Sequence, residues 1–305
     1  MPEPASHQKK FSRDSVPANH WARRYRMITS IDDLKSLRFW KAVGAEFLGT
    51  LLLVIVGCGS CVAWDADNKV VQIAFCFGLS VATIVWSIGH VSGGHINPAV
   101  TCAFFIARQI SLARAVLYIV VQCLGAIIGA GLLKGMTPAN RQDSLGATVP
   151  HKDVDGGKAF GIEFFITFIL IFTIFATCDK KRKDLGGSFP LSIGLSVTMC
   201  HLFAVQFTGA SMNTARSFGP AVVMGIWDKH WVYWLAPPLG ACCAALLYDN
   251  VFSMNASLEK ARGFLLSSDY DHEDFPAKRR KIKVIHEEAE ELNVDLNQKP
   301  ITETA

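Results

Sequence analysis

The two halves of this sequence match each other in order, at an offset of about 116 residues, and the matches include polar positions. Ala45-Glu46-Phe47-Leu48-Gly49-Thr50 pairs with Ile162-Glu163-Phe164-Phe165-Ile166-Thr167, and Gly78-Leu79-Ser80-Val81 pairs with Gly194-Leu195-Ser196-Val197. Gly93-Gly94-His95-Ile96-Asn97-Pro98-Ala99-Val100 pairs with Gly209-Ala210-Ser211-Met212-Asn213-Thr214-Ala215-Arg216. A helix needs about 20 apolar residues to cross a bilayer. Six stretches qualify: Phe39–Val62, Val71–His90, Leu112–Leu133, Ala159–Thr177, Gly187–Phe207 and His230–Val251. Pro98–Ala107 and Thr214–Trp227 are too short to cross, and they occupy corresponding places in the two halves. Short apolar pieces so placed read as re-entrant half-helices. Three spans per half is an odd number, so the second half enters the membrane from the opposite side. The predicted fold is an all-α membrane protein: six transmembrane helices and two half-helices in an inverted 3+3 repeat. Its functional site is expected near the midplane, where the repeats meet.

Composition agrees with a membrane chain and argues against a soluble enzyme. Only 18% of residues are charged, against about 25% in a typical soluble domain. The charges gather at the ends and in the connections. The N-terminal tail (1–38), the Arg108–Arg114 connection, the Lys180–Lys183 run and the C-terminal tail (252–305) together hold 22 of the 30 Lys and Arg residues. The opposite connections hold seven, and Lys41 begins the first span. The excess of basic residues marks the cytoplasmic side, so both termini are expected there. The channel domain is 39–251, with repeats at about 39–134 and 159–251.

Nine cysteines lie mainly in apolar segments, and the Cys58/Cys61 spacing has no histidine or second pair beside it. They read as small packing residues rather than a metal or redox centre. No metal or other cofactor is expected, and no nucleophile–base set or cofactor loop suggests an enzyme.

His95-Ile96-Asn97-Pro98-Ala99-Val100-Thr101 resembles the signature of the major intrinsic protein family, the aquaporins and glycerol channels. Gly209-Ala210-Ser211-Met212-Asn213-Thr214-Ala215-Arg216-Ser217-Phe218-Gly219 resembles that family's second pore loop. The likeness runs from about Phe39 to Val251 and is greatest to the water-selective branch. It extends to Phe172–Asp179 and Gly225–Trp234.

The resemblance implies that the two half-helices meet end to end at the bilayer centre. Asn97, Pro98, Ala99 and Asn213, Thr214, Ala215 would then form the pore centre. Half-helix N-termini carry positive partial charge and unsatisfied N–H groups. Asparagine there can donate to passing water, and such dipoles exclude cations from aquaporin pores. A narrow ring of Phe77, His201, Ala210 and Arg216 is implied as the selectivity filter. Arg216 would bring a permanent charge and His201 a further donor. Glycerol channels carry a small residue in place of His201, so its presence favours water. Carbonyls from Gly93, Gly94, His95, Ile96, Gly209, Ser211 and Met212 are expected along the pore. Glu46 and Glu163, one per repeat, are read as acceptors that hold these loops, with a proton relay as the competing reading. His95 is read as a further loop-holding residue.

The second motif departs from the family at Thr214, where proline is usual. The substitution is expected to place a hydroxyl near the pore midpoint. The predicted function is a passive, osmotically driven water channel that excludes protons and ions. The alternatives are a pore with broadened cargo (glycerol, hydrogen peroxide or ions) or a junctional, structural membrane protein. Ala210 stands where some relatives have a mercury-sensitive cysteine, so no block is expected there. Small residues on span three (Gly125, Ala126, Gly129, Ala130) and span six (Gly240, Ala244) permit close helix packing. The resemblance implies a homotetramer, and a plasma-membrane location is expected. Lys278–Lys283 is a basic run able to contact anionic lipid. Water and the bilayer are the expected partners, and nucleic acid is not.

Overall fold

The computed structural model describes residues 31–62, 69–184, 186–267 and 270. The Lys278–Lys283 run and most of the N-terminal tail lie outside the described residues. A single turn, α1 (Ile31–Leu34), leads into α2 (Leu37–Gly59), α3 (Val70–Ser92), the half-helix α4 (Pro98–Ile106) and α5 (Leu112–Met136). The second half contains α6 (Gly156–Cys178), α7 (Phe189–Thr208), the half-helix α8 (Thr214–Met224) and α9 (Trp231–Leu247). A π-type turn, Tyr248–Phe252, prolongs α9, and α10 (Leu258–Leu266) follows. Among the described residues, six helices are long and apolar enough to cross a membrane, the last running Trp231–Phe252.

Local chemistry sets the helix ends more tightly than apolar runs can. Asp155 caps α6, accepting from the backbone N–H of Lys158 at 2.9 Å, so α6 begins three residues before the predicted span. That bond, with the nearby Lys158 side chain, holds the Asp155 carboxyl below the usual carboxylate range. Ser188 caps α7 ahead of Pro190, which favours a helix's first turn. Gly225, at φ 71°, ends α8 at Met224 rather than at Trp227.

The packing follows the repeat. α2 lies against α5, and α6 lies equivalently against α9, while α3 and α7 cross at the pseudo-twofold axis. The half-helices are exchanged: α4 packs mainly on α9, and α8 on α5. Each half therefore seats its pore loop on the other half's third long helix. Glycines make these contacts possible. A Cβ on Gly78 or Gly194 would strike the facing glycine's carbonyl across the axis. A Cβ on Gly125 or Gly129 would strike the α2 backbone at Phe47 or Leu51, and one on Gly240 would strike Phe164 in α6.

The chain beyond 252 is not wholly a tail. Lys260 of α10 is fully buried, and its ammonium donates to Asp249 Oδ1 at 2.8 Å, to Ser253 Oγ at 3.0 Å and to Asn255 Oδ1 at 2.9 Å. A buried charge is tolerable only when paired and hydrogen-bonded. This cluster docks α10 on the π-type turn. The apolar run could not reveal it, because Ser253, Asn255 and Lys260 lie in the polar segment after the predicted span and Asp249 stands at its very end.

Candidate pore and its filter

The two loops that precede α4 and α8 adopt the same backbone path. Gly93 and Gly209 turn with φ of 94° and 81°, and Ile96 and Met212 also take positive φ, 45° and 52°. A β-branched residue such as isoleucine is rarely found there, and such strain costs on the order of 1–3 kcal/mol per residue. A buried carboxylate holds each loop in place. Glu46 accepts from the backbone N–H of His95 (2.9 Å) and of Ile96 (2.6 Å). Glu163 accepts from the N–H of Ser211 and of Met212, both at 2.9 Å. Both glutamates are 0% exposed, so these charge-assisted bonds are shielded from water and strong.

The asparagines cross-link the loops. Asn97 Oδ1 caps α4 at the Ala99 N–H (2.8 Å), while its Nδ2 donates to the Met212 carbonyl (2.8 Å). Asn213 Oδ1 caps α8 at the Arg216 N–H (3.1 Å), and its Nδ2 donates to the Ile96 carbonyl (2.8 Å). Each amide thus has one hydrogen committed to the opposite loop and one remaining for a passing molecule. The Ile96 and Met212 carbonyls, expected simply to line the pore, also act as the struts between the halves.

A cavity of about 820 Å³ passes these residues. Its lining includes Gly93, Gly94, His95, Ile96, Asn97, Ser211, Met212 and Asn213, and it reaches Phe77, His201 and Arg216. Gly209 and Ala210 are not in this lining, and Ala210 is fully buried. Pro98, Ala99, Thr214 and Ala215 lie buried behind the asparagines as the first residues of their half-helices. His95 packs inward, its ring stacked on Phe104 at 4.6 Å and its Nδ1 3.2 Å from Thr101 Oγ1.

At one end of the cavity three side chains touch. The His201 ring stacks on Phe77 with centroids 4.7 Å apart, and the Arg216 guanidinium lies 4.7 Å from the Phe77 centroid. Arg216 Nη1 donates to the Gly146 carbonyl at 2.7 Å. Its Nε and His201 Nε2 are buried without a hydrogen-bond partner among the described residues. His201 Nδ1 lies 2.9 Å from the Val197 carbonyl. A carbonyl only accepts, so Nδ1 carries the proton and the neutral ring offers Nε2 as an acceptor. The histidine therefore supplies an acceptor, where the sequence suggested a donor.

Thr214 also differs from expectation. Its hydroxyl does not face the pore; it donates to the Tyr233 carbonyl of α9 at 2.9 Å, and the residue is 1% exposed.

The residue pattern of this site is matched by a family model. Residues 33–248 match the model described as major intrinsic protein. The chain belongs to the major intrinsic protein family. It is a multi-pass channel of the aquaporin kind, and not an enzyme. Aquaporin-4 of Mus musculus is 48% identical over 258 residues, covering 81% of this chain and 80% of the relative. Lens fiber major intrinsic protein of Lithobates pipiens is 49% identical over 220 residues, covering 72% of this chain and 84% of the relative. The aquaglyceroporin from Plasmodium falciparum superposes with a TM-score of 0.64 at 23% identity, covering 70% of this chain and 96% of that one. That superposition supports the fold alone.

Sequence reasoning missed several residues around this aquaporin pore. Gln122 donates to Glu46 Oε2 at 2.8 Å and to Thr101 Oγ1 at 3.1 Å. Tyr118 and Tyr233 donate from their hydroxyls to the Ser92 carbonyl (2.9 Å) and the Thr208 carbonyl (2.6 Å). Ser92 and Thr208 immediately precede the two loops, so the tyrosines are a repeated feature. Their matching places in the third helix of each half were the available signal. The Gly146 carbonyl had none, since its loop has no counterpart in the repeat.

All nine cysteines are free thiols, and no cluster of three or more potential metal ligands occurs among the described residues.

Proposed function

We propose that this channel conducts water passively down an osmotic gradient and excludes protons, ions and glycerol. One observation supports the reading above others: an orphan donor and an orphan acceptor, Arg216 Nε–H and His201 Nε2, flank the same aromatic wall at Phe77. A buried polar group without a partner costs roughly 1–3 kcal/mol. A water molecule can accept from the arginine and donate to the histidine, which removes both penalties. A cation gains nothing from Arg216, whose guanidinium stays charged.

Deeper in the pore, the free amide hydrogens of Asn97 and Asn213 point a water oxygen toward the two helix N-termini. A water held by two donors turns both its hydrogens away from them, so no continuous donor–acceptor wire crosses the centre. The positive ends of α4 and α8 add a barrier to hydronium. The carboxylates of Glu46 and Glu163 bond to loop N–H groups, which supports a holding role and leaves no geometric case for a relay. The engaged Thr214 hydroxyl likewise offers no reason to invoke broadened cargo.

On this reading the protein works as a homotetramer in the plasma membrane, each subunit with its own pore and both termini in the cytoplasm. Stopped-flow shrinkage of proteoliposomes, with glycerol uptake measured in the same preparation, tests the function. Fast water efflux with low activation energy and glycerol uptake equal to empty liposomes is the expected result. Glycerol entry that scales with protein content would contradict it.

A further inference from the structure

The role of Thr214 becomes clear from the helix behind it. In a regular α-helix the carbonyl of residue 233 accepts from the N–H of residue 237. Position 237 is proline, inside α9, and proline has no N–H to give. The Tyr233 carbonyl is thereby released, at a buried position. Leaving it unpaired would cost the full desolvation of that group. The Thr214 hydroxyl, 2.9 Å away, donates to it.

The first half is built in the complementary way. There the half-helix begins with Pro98, which has no hydroxyl, and α5 contains no proline, so Tyr118 lies in an unbroken helix. In the second half the half-helix begins with threonine and the long helix contains two prolines, Pro237 and Pro238, of which Pro237 frees the Tyr233 carbonyl. Tyr233 thus holds both feet of its pore loop. Its phenol donates to Thr208 before the loop, at 2.6 Å, and its carbonyl accepts from Thr214 after it. Tyr118 holds only the first foot of the other loop, at Ser92.

We propose that Thr214 is a positioning residue matched to Pro237. Its hydroxyl replaces the amide that Pro237 removes from α9, and the resulting bond fixes the N-terminus of α8. That terminus carries Asn213 and, one turn on, Arg216. Threonine here is a tether that sets the height of two of the pore's donors.

The test is a double-mutant cycle in the full-length protein, using Thr214→Val, Pro237→Ala and both together, with Thr214→Ser as the conservative variant. Valine keeps the shape and removes the hydroxyl; alanine at 237 restores the amide. Loss of one buried hydrogen bond corresponds to roughly a fivefold change in an equilibrium. Water permeability per channel is expected to fall about fivefold in Thr214→Val and to stay near native in Thr214→Ser. In the Pro237→Ala background, Thr214→Val should cost little. The same cycle read on the melting temperature of purified protein serves if a variant is poorly inserted. A Thr214→Val defect that is the same with proline or alanine at 237 overturns the inference, as does a defect that serine fails to rescue. The flux readout rests on the water-pore reading, whereas the melting cycle does not. Native protein without water flux would sink that reading and leave the tether to be judged by the melting cycle.

Discussion

The two ends of the pore occupy equivalent positions in the repeat, yet they are built from opposite chemistry. Phe77, His201 and Arg216 gather at the polar end, the candidate constriction. Their repeat partners, at the same offset of about 116 residues, are Ile193, Val85 and Val100. All three line the same cavity, and none carries a polar side-chain atom. The loops between the two ends remain near copies, with the same glycine turns, carboxylate anchors and crossed asparagine bonds. The duplicated fold therefore supplies the scaffold and the central donors twice, and this polar cluster only once. On the proposed function, selectivity rests on these three side chains placed on a symmetric frame.

Making the polar end resemble the apolar one should have the largest effect. Arg216→Val removes the charge, the bond to Gly146 and one wall of the constriction. Glycerol uptake by proteoliposomes is expected to rise at least about tenfold, equivalent to about 1.4 kcal/mol of lost discrimination, and cation leak should appear beside it. Uptake at the empty-liposome level would mean that selectivity lies elsewhere.

The anchors should rank next. Replacing either glutamate by glutamine sets an amide NH2 against a loop N–H, at a cost of about 1.5–3 kcal/mol for a lost bond to a charged group. Glu46→Gln and Glu163→Gln should lower the melting temperature by similar amounts. In the first half the Gln122 amide can turn over and accept from the new NH2, and in the second the Thr208 hydroxyl can rotate to accept, whereas the backbone N–H groups cannot. A melting temperature unchanged by either substitution would show that the carboxylate does not hold its loop.

His201→Val removes the orphan acceptor and widens the slot. Glycerol uptake is expected to rise several-fold while water flux changes less than about threefold, since a single neutral hydrogen bond is worth about 1 kcal/mol. Smallest of all should be Val100→Ala at the apolar end. Water flux should stay within about twofold of native, and solute selectivity should be unchanged, because no polar contact is lost. A selectivity change there would mean that the apolar end also filters.

Much of this was legible from residues alone. The six spans, both half-helices and the inverted repeat follow from apolar length and ordered matches, because membrane helices declare themselves by composition. The candidate filter, Phe77, His201, Ala210 and Arg216, could be named only through the family resemblance, and the structure brings Phe77, His201 and Arg216 together at the cavity without Ala210. Their chemistry was less legible. The histidine's tautomer depends on the Val197 carbonyl, and the direction of the Thr214 hydroxyl depends on a proline 23 positions away. Such facts come from backbone groups brought together across the fold, and side-chain patterns do not record them. The burial of Lys260 escaped for the opposite reason: its segment is polar enough to look like tail, and only the paired acceptors at Asp249, Ser253 and Asn255 explain it.

The most direct test of a pore that passes water yet breaks the proton wire is to follow both in one vesicle. Native protein would be reconstituted with a pH-reporting dye inside, and osmotic shrinkage and proton entry recorded on the same sample. The account predicts water efflux that rises with protein content while proton entry stays at the empty-liposome rate. Proton entry that rises in step with water efflux would contradict it.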